Sequence, residues 1–450
     1  MIVSSAFAGK RYAVLGLARS GLAAVETLLA SGAQVTAWDN REEPRNALAG
    51  RVELADPLAI DLAGFAGVVV SPGVPLNRHP ITEHAAQAGV PVIGDIELFS
   101  AARGDLPAHR VVGITGTNGK STTTALVHHL LRNAAVPVRM GGNIGLPILG
   151  QEPLSAGGVY VLELSSYQID LTHGLECDVA ALTNITPDHL DRYEDFAAYA
   201  ASKQRLFTMQ RPDQYAVFGM GDAETASIAN HELARRSAQF VRVVNGGDLA
   251  PLQPDWPSLQ GPHNLQNAAV AVAIVSALGL SEGQWRPALA TFRGLPHRME
   301  RVAEVNGVLF INDSKATNPA SAAPALAAFP PKPDKRIHWI VGGLPKGEDL
   351  DECAPWFGNV AAAYTIGDAG PRFADLLEPH MPVRRSEMMI EAVRQAIAAA
   401  RPGDIIMLSP ACASFDQFRD YEARGDTFRQ IVEALTEESA PEEPAPEGTA

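Results

Sequence analysis

The sequence is poor in cysteine, has a deficit of positive charge and contains no long apolar run. Only Cys177, Cys353 and Cys412 occur among 450 residues, far apart, with no metal-type or redox-type pairing. A cysteine-built metal or redox site is thereby excluded, and a reducing cytoplasm is the expected setting. Lys and Arg number 36 against 51 Asp and Glu, for a net charge of −15. Coating nucleic acid requires clustered cations to neutralise phosphate, so no nucleic-acid partner is expected. Local groups can still hold anionic small molecules in an acidic protein. No uninterrupted apolar stretch approaches the roughly 18 residues of a membrane-spanning helix, so no membrane span is expected. Lys10-Arg11 follow the short apolar start, and the next apolar run reads as a strand rather than a signal peptide.

What is present suits a soluble globular chain. Hydrophobic residues make up 46% and charged residues 19%, and the length allows roughly three domains. Tyr12–Leu15 reads as a buried strand ending at Gly16-Leu17-Ala18-Arg19-Ser20-Gly21, followed by a helical run through Leu29 and a strand Gln34–Trp38 ending at Asp39. This is a βαβ opening. Ala18 occupies the middle glycine of the dinucleotide fingerprint, which favours a general nucleotide or phosphate turn over a NAD site, with a purely structural turn as the alternative. Strands at 67–70 and 90–93 follow. Arg103 to His109 reads as a linker into a second α/β unit. A third opens with the strand 301–305, Asn306-Gly307, and the strand 308–311, a hairpin signal. Strands at 337–341, 362–366 and 404–408 then alternate with helices, as in a doubly wound sheet.

The chemistry begins at Thr115-Gly116-Thr117-Asn118-Gly119-Lys120-Ser121-Thr122. The strand 111–115 precedes it, and a helix with apolar Leu126, Val127, Leu130 and Leu131 follows. Strand, glycine loop and helix is the context of a phosphate-binding loop. Backbone N–H groups and the helix N-terminus would face the phosphates of ATP, Lys120 would span the β- and γ-phosphates, and Ser121 or Thr122 would hold Mg²⁺. Strict spacing puts a glycine at position 114, where this chain has Ile114.

Glu163 is the one charge in an apolar strand, 158–164, and a buried carboxylate is costly unless it serves something. His189 lies just past the strand 179–183. The two could approach one metal ion, or be an ion-paired glutamate and a loop histidine. Lys203 shares the apolar stripe of the helix Asp195–Phe207 with Phe196, Tyr199, Ala200, Leu206 and Phe207. Desolvation there favours the neutral amine, which can react with CO₂ to give a carbamate ligand. The alternative is a lysine that snorkels to solvent.

These motifs together resemble the bacterial Mur ligases. The resemblance covers residues 10 to 435, through Gly116 to Thr122, Glu163 to Gln168, Thr183 to Tyr193, Lys203, His263-Asn264 with Asn267, Gly294 to Arg298, Asn312 to Asn318, and Ser409 to Ser414. It implies an α/β fold of three domains. These are a Rossmann-like N-terminal domain for a UDP-linked substrate (1–105), a P-loop ATPase central domain (106–297) and a Rossmann-like C-terminal domain for an amino acid (298–436). An acidic tail, 437–450, follows and is expected to be disordered. The resemblance is strongest to the branch that joins D-glutamate to UDP-N-acetylmuramoyl-L-alanine through an acyl phosphate; a monomer is expected.

The resemblance also assigns roles. Lys120 contacts the ATP phosphates, Ser121 and Glu163 hold one Mg²⁺, and His189 with a carbamylated Lys203 holds a second. Asn267, Arg298 and Asp313 surround adenine, ribose and the γ-phosphate. Arg19, Ser20, Asp39, Asn40, Arg41 and Gly73 meet uridine and diphosphate, and Asn143 meets the substrate. Lys315 and Thr317 are catalytic and amino-acid contacts. Lys346 and Ser414 take the glutamate carboxylates beside Tyr421, where the related enzyme has Phe. Two rivals stand beside this reading. A folylpolyglutamate synthase would not need the α/β unit at 1–105, and a nucleotide-binding regulator would not need a second metal site.

Overall fold

The computed structural model describes residues 1–188, 192–345, 347 and 349–437. His189, Lys346 and the tail beyond 437 lie outside the described residues. The strands form three sheets. The first contains β1 (Arg11–Leu15), β2 (Gln34–Trp38), β3 (Glu53–Leu54), β4 (Gly67–Val70) and β5 (Val92–Ile93), all parallel, in the order β3-β2-β1-β4-β5. The second contains β6 (His109–Thr115), β7 (Val138–Gly142), β8 (Gly158–Glu163), β9 (Val179–Leu182), β10 (Tyr215–Gly219) and β11 (Val241–Val244), also parallel, in the order β11-β10-β9-β6-β8-β7. The third contains β12 (Glu300–Val305), β13 (Val308–Asn312), β14 (Ile337–Gly342), β15 (Val360–Ile366), β16 (Val383–Glu387) and β17 (Ile405–Leu408), in the order β12-β13-β17-β14-β15-β16. Only the β12–β13 pair is antiparallel. Asn306 (φ 53°) and Gly307 (φ 77°) turn it, as the two positive-φ positions of a tight hairpin require.

The sheets fall into two compact units. Residues 1–251 and 264–290 form the first, and residues 252–263 and 291 onward the second. In the first unit one apolar cluster includes Val14 and Ala37 of the first sheet together with Val111, Leu162, Leu182 and Phe218 of the second. The stretch read as a linker is correspondingly tied down. Arg103 donates to His109 and to the Glu176 carbonyl, and Asp105 accepts from Ser4 Oγ and Ser5 N–H. In the second unit the pleat sorts β17: Ile405 and Met407 enter one cluster, Ile406 and Leu408 the other. Continuous apolar strands such as β4 and β17 are buried along their whole length, because helices cover both faces of a parallel sheet.

In the second sheet the chain leaves β6 for the edge strand β7, returns through β8 and crosses to β9 on the other side of β6. The carboxyl end of β6 is therefore a topological switch point, where such sheets open a ligand crevice.

Candidate functional site

The phosphate loop occupies that switch point. Ile114 is fully buried in β6, paired with Glu163 on β8 and Ala181 on β9. It is a strand residue, so the turn begins two residues later, which accounts for the variant spacing. Gly116 has φ 145°, and a Cβ there would overlap Thr183 Oγ1. Gly119 has φ 83° at the start of the helix Lys120–Asn133, and a Cβ there would overlap the Asn267 carboxamide. Only glycine meets both demands. Lys120 Nζ donates to the carbonyls of Gly116 (2.9 Å) and Thr117 (2.7 Å), which curls the side chain over the loop. Ser121 is buried, Thr122 half-buried, and the Thr115 hydroxyl is buried without a hydrogen-bond partner among the described residues.

Glu163 closes β8 with 2% exposure. Its Oε1 accepts from Asn143 Nδ2 at 3.0 Å, and its carbonyl accepts the Asn143 N–H at 2.8 Å. Its Oε2 is buried with no hydrogen-bond partner among the described residues. The Glu163 side chain is thus held by an amide rather than by an ion pair among the described residues. A buried carboxylate oxygen left in this way, beside a loop bearing the Ser121 hydroxyl, fits the oxygen ligand set of Mg²⁺. No three His, Cys, Asp or Glu side chains converge on a metal position among the described residues, and His189 is not one of them.

Lys203 does not snorkel. It is 1% exposed, its Nζ donates to the Gly116 carbonyl at 2.9 Å, and it lies 4.5 Å over the Tyr199 ring. Burial holds the amine well below the ordinary lysine range; the Lys120 charge pushes it the same way, against the pull of Asp188 and Asp170. Two lysines share one carbonyl oxygen, and at the deeply buried Lys203 desolvation disfavours the ammonium form.

Around Lys203 lies a shell with no assigned role in the sequence reading. Tyr199 OH is 3.1 Å from Thr117 Oγ1. Tyr193 OH and Ser202 Oγ donate to the two oxygens of Asp170, each at 2.7 Å. Arg192 stacks over Tyr167 and donates to the carbonyls of Gly73 and Val74, in the turn after β4. Tyr199 could have been found from the Lys203 stripe; the others depend on contacts distant in sequence.

At the carboxyl edge of the first sheet the glycine turn is built as expected. Ser71 Oγ donates to the carbonyl of Gly16 (φ 89°), and a Cβ at Gly21 would overlap that same carbonyl. Ala18 is extended with negative φ at the head of the helix Arg19–Ala30, so no glycine is needed there. Asp39 accepts the N–H groups of Leu17 (2.7 Å) and Arg41 (2.9 Å) and the Arg41 Nε (3.2 Å). Burial alone would raise its pKa, but these donors hold it below the ordinary carboxylate range. Arg19, Asn40, Arg41 and Gly73 are exposed along this edge and Ser20 is half-buried.

The second unit gathers its own set where β13 and β17 end. Asp313 is buried, with Oδ2 accepting from Ser409 Oγ (2.8 Å) and Oδ1 from the Met299 N–H (3.1 Å); burial pushes its carboxyl up to about 7. Lys315 Nζ lies 5.4 Å over the Tyr421 ring. Ser414 is buried, Thr317 half-buried, and the Arg298 Nε is buried without a partner among the described residues. Arg424, not singled out from sequence, binds both loops of this edge. It donates to Ser314 Oγ and to the carbonyls of Ser314, Cys412 and Ala413.

The family models described as Mur ligase MurD-like N-terminal domain, Mur ligase middle domain and Mur ligase glutamate ligase domain match residues 10–94, 114–275 and 297–412. Proteins named UDP-N-acetylmuramoylalanine–D-glutamate ligase are similar along the whole chain. The one from Novosphingobium aromaticivorans is 72% identical, covering 100% of both chains; that from Sphingopyxis alaskensis is 62% identical over 97% of this chain and 100% of its own. Among solved structures, the UDP-N-acetylmuramate–alanine ligase of Thermotoga maritima has a TM-score of 0.56 at 16% identity, over 95% of this chain and 99% of its own. Escherichia coli FolC, solved with DHPP and ADP, has a TM-score of 0.50 at 20% identity over 77% of this chain and 93% of its own. The matches span all three sheets, and the chain belongs to the Mur ligase family.

Proposed function

We propose that the chain joins D-glutamate to UDP-N-acetylmuramoyl-L-alanine, spending ATP through an acyl phosphate, as a cytoplasmic step of peptidoglycan precursor synthesis. The observation that carries the reading is the pair of lysines on the Gly116 carbonyl beside the buried Glu163. A phosphate loop alone says only nucleotide; a buried lysine whose charged form is disfavoured and a buried carboxylate with one oxygen unpartnered among the described residues suit phosphoryl transfer. The relatives' shared name supplies the acceptor and the amino acid, and the full N-terminal sheet suits a UDP-linked acceptor better than a folate.

The substrate carboxylate attacks the γ-phosphorus, the bond to the β-bridging oxygen breaks, and ADP leaves. Lys120 and Arg298 offset the charge that develops on the transferring oxygens. The neutral amine of D-glutamate then attacks the acyl carbon, and inorganic phosphate leaves. Ser121 and Glu163 would hold one Mg²⁺, and His189 with carbamylated Lys203 a second; the metal would neutralise phosphate charge. Lys203 reaches the carbamate when its amine adds to CO₂ and releases a proton. Asn267, Arg298 and Asp313 serve the nucleotide. Asn143 and the edge of the first sheet serve the UDP-substrate. Lys315, Thr317, Lys346, Ser414 and Tyr421 serve the amino acid. The working boundaries are 1–105, 106–297 and 298–436, in a monomer.

Phosphate release with UDP-N-acetylmuramoyl-L-alanine and a panel of D- and L-amino acids tests the proposal. Turnover with D-glutamate and little with L-glutamate is expected. Turnover with a folate acceptor, or none with the UDP-substrate, would overturn it.

A further inference from the structure

Between β9 and position 195 the family resemblance assigns a chemical role to one residue, His189. The structure draws attention instead to residues 183 to 186, directly after β9. Thr183, Asn184 and Thr186 run alongside the phosphate loop and bond to it at nearly every polar atom of residues 117 and 118. The Thr117 N–H donates to the Asn184 carbonyl at 2.8 Å. The Asn118 N–H donates to Asn184 Oδ1 at 2.9 Å, and Asn184 Nδ2 returns a bond to the Asn118 carbonyl at 3.0 Å. Thr183 Oγ1 donates to that same carbonyl at 2.7 Å. Thr117 Oγ1 donates to the Thr186 carbonyl and accepts the Thr186 N–H.

We infer that Asn184 is a positioning residue of the phosphate loop, its carboxamide pairing with the Asn118 peptide as a neighbouring strand would and so aiming the loop at the phosphates. The inference rests on the ATP reading of the loop and deepens it. A glycine-rich loop is expected to offer its successive N–H groups to phosphate. Here the N–H groups of Thr117 and Asn118 are already committed to Asn184, and a hydrogen-bond donor satisfied by a neutral carbonyl is not available to an oxyanion. Phosphate is then taken by the amides from Gly119 onward, where the helix dipole adds to the attraction. The helical ladder itself begins at Thr123, whose N–H donates to the Gly119 carbonyl. The same template restrains Gly116, whose Cβ-less backbone packs against Thr183 Oγ1 and the Asn184 backbone. That holds the carbonyl shared by Lys120 and Lys203. Asn184 thus acts on the nucleotide through the loop, without touching it.

The full-length enzyme tests this. Binding of Mg·AMP-PNP to the unaltered protein, by calorimetry, comes first: no binding means the ATP reading fails, and the inference with it. Given binding, Asn184→Ala is expected to raise the KM for ATP about tenfold, as two lost hydrogen bonds would, while the KM for the UDP-substrate stays within twofold. Asn184→Asp, which keeps the acceptor and loses the donor, should fall between. Thr183→Val removes one bond to the same carbonyl and should raise the ATP KM about threefold, which keeps the test open if Asn184→Ala fails to fold. An unchanged ATP KM in a folded variant, or all substrate KM values rising together, would overturn the inference. Amide hydrogen exchange separates positioning from mere support. The 117 and 118 amides should be protected without nucleotide and change little with Mg·AMP-PNP, while those of Gly119, Ser121 and Thr122 gain protection. Protection of 117 and 118 that depends on nucleotide would overturn it.

Discussion

Lys203 in the first unit and Arg424 in the second are cations buried to the same degree, 1% exposed each. Neither forms an ion pair with a carboxylate among the described residues. Their surroundings differ in the number of acceptors supplied. Arg424 places Nε, Nη1 and Nη2 on one hydroxyl and three carbonyls, and burial lowers its pKa only to about 10. Among the described residues Lys203 has one carbonyl and the face of Tyr199, and burial holds it well below the ordinary lysine range. A planar guanidinium spreads its charge over several bonds, whereas an ammonium is a compact, strongly hydrated charge that suffers more when dehydrated. Burial alone therefore does not make a reactive group. Burial with too few acceptors does, and burial with enough of them makes a charged strut.

The comparison can be broken at several points. The largest effect is expected for Lys120→Ala, with phosphate release down at least about a thousandfold; this variant also removes the like charge from the Gly116 carbonyl. Retained ligation would sink the ATP-loop assignment. Lys203→Ala should come next, with activity nearly lost but partly restored by short carboxylic acids added to the assay. Lys203→Arg, charged at any accessible pH, should not be restored. Failure of every acid to rescue Lys203→Ala would count against the carbamate.

On the other side, Arg424→Met removes the guanidinium donors from three carbonyls and a hydroxyl, of which the Ala413 carbonyl keeps the Leu344 N–H. Unfolding of the second unit should become easier by about 3 kcal/mol in urea titration; a change within error would show that the strut is dispensable. Asp313 gives a pH test. Its folded-state pKa is raised to about 7, so its contribution is fully present below the ordinary carboxyl range and is lost as pH rises through about 7. The second unit should lose stability across that window, and Asp313→Asn should flatten the slope between pH 5 and pH 8. A slope unaltered by the substitution would refute the assignment. The smallest effect is expected for Ser202→Ala, about 1 kcal/mol for the hydrogen bonds to Asp170 and the Ser166 carbonyl, read in thermal melts.

Much of the fold was legible. β4 falls where its apolar run predicts, because burial on both faces leaves no polar interruption, and β2 falls where predicted between Gly32 and Asp39 although Thr36 interrupts its apolar residues. The edge strands β7, Val138–Gly142, and β16, Val383–Glu387, were not. Their residues are largely exposed or half-buried and include Arg139, Arg384 and Arg385, so no burial period marks them. In the site, the phosphate loop was legible from its glycines, and Lys203 from its helical stripe. Asn184, Asp170 and Arg424 were not. Their partners lie 66, 32 and 110 residues away, and no local pattern encodes a bond of that span.

The residue pattern by itself determined the alternation of strands and helices, the glycines at 116 and 119, and the placing of Lys203 on a buried face. These are local properties, set by backbone freedom and the period of apolar residues. Only the tertiary structure decided that Lys203 meets the same carbonyl as Lys120, that Glu163 keeps one oxygen without a partner among the described residues, and that Asn184 takes the amides of 117 and 118. A hydrogen bond or a pKa depends on which groups the fold brings within about 3 Å and which waters it removes. Those are fixed by the crossing of β6, β8 and β9, not by any neighbour in sequence.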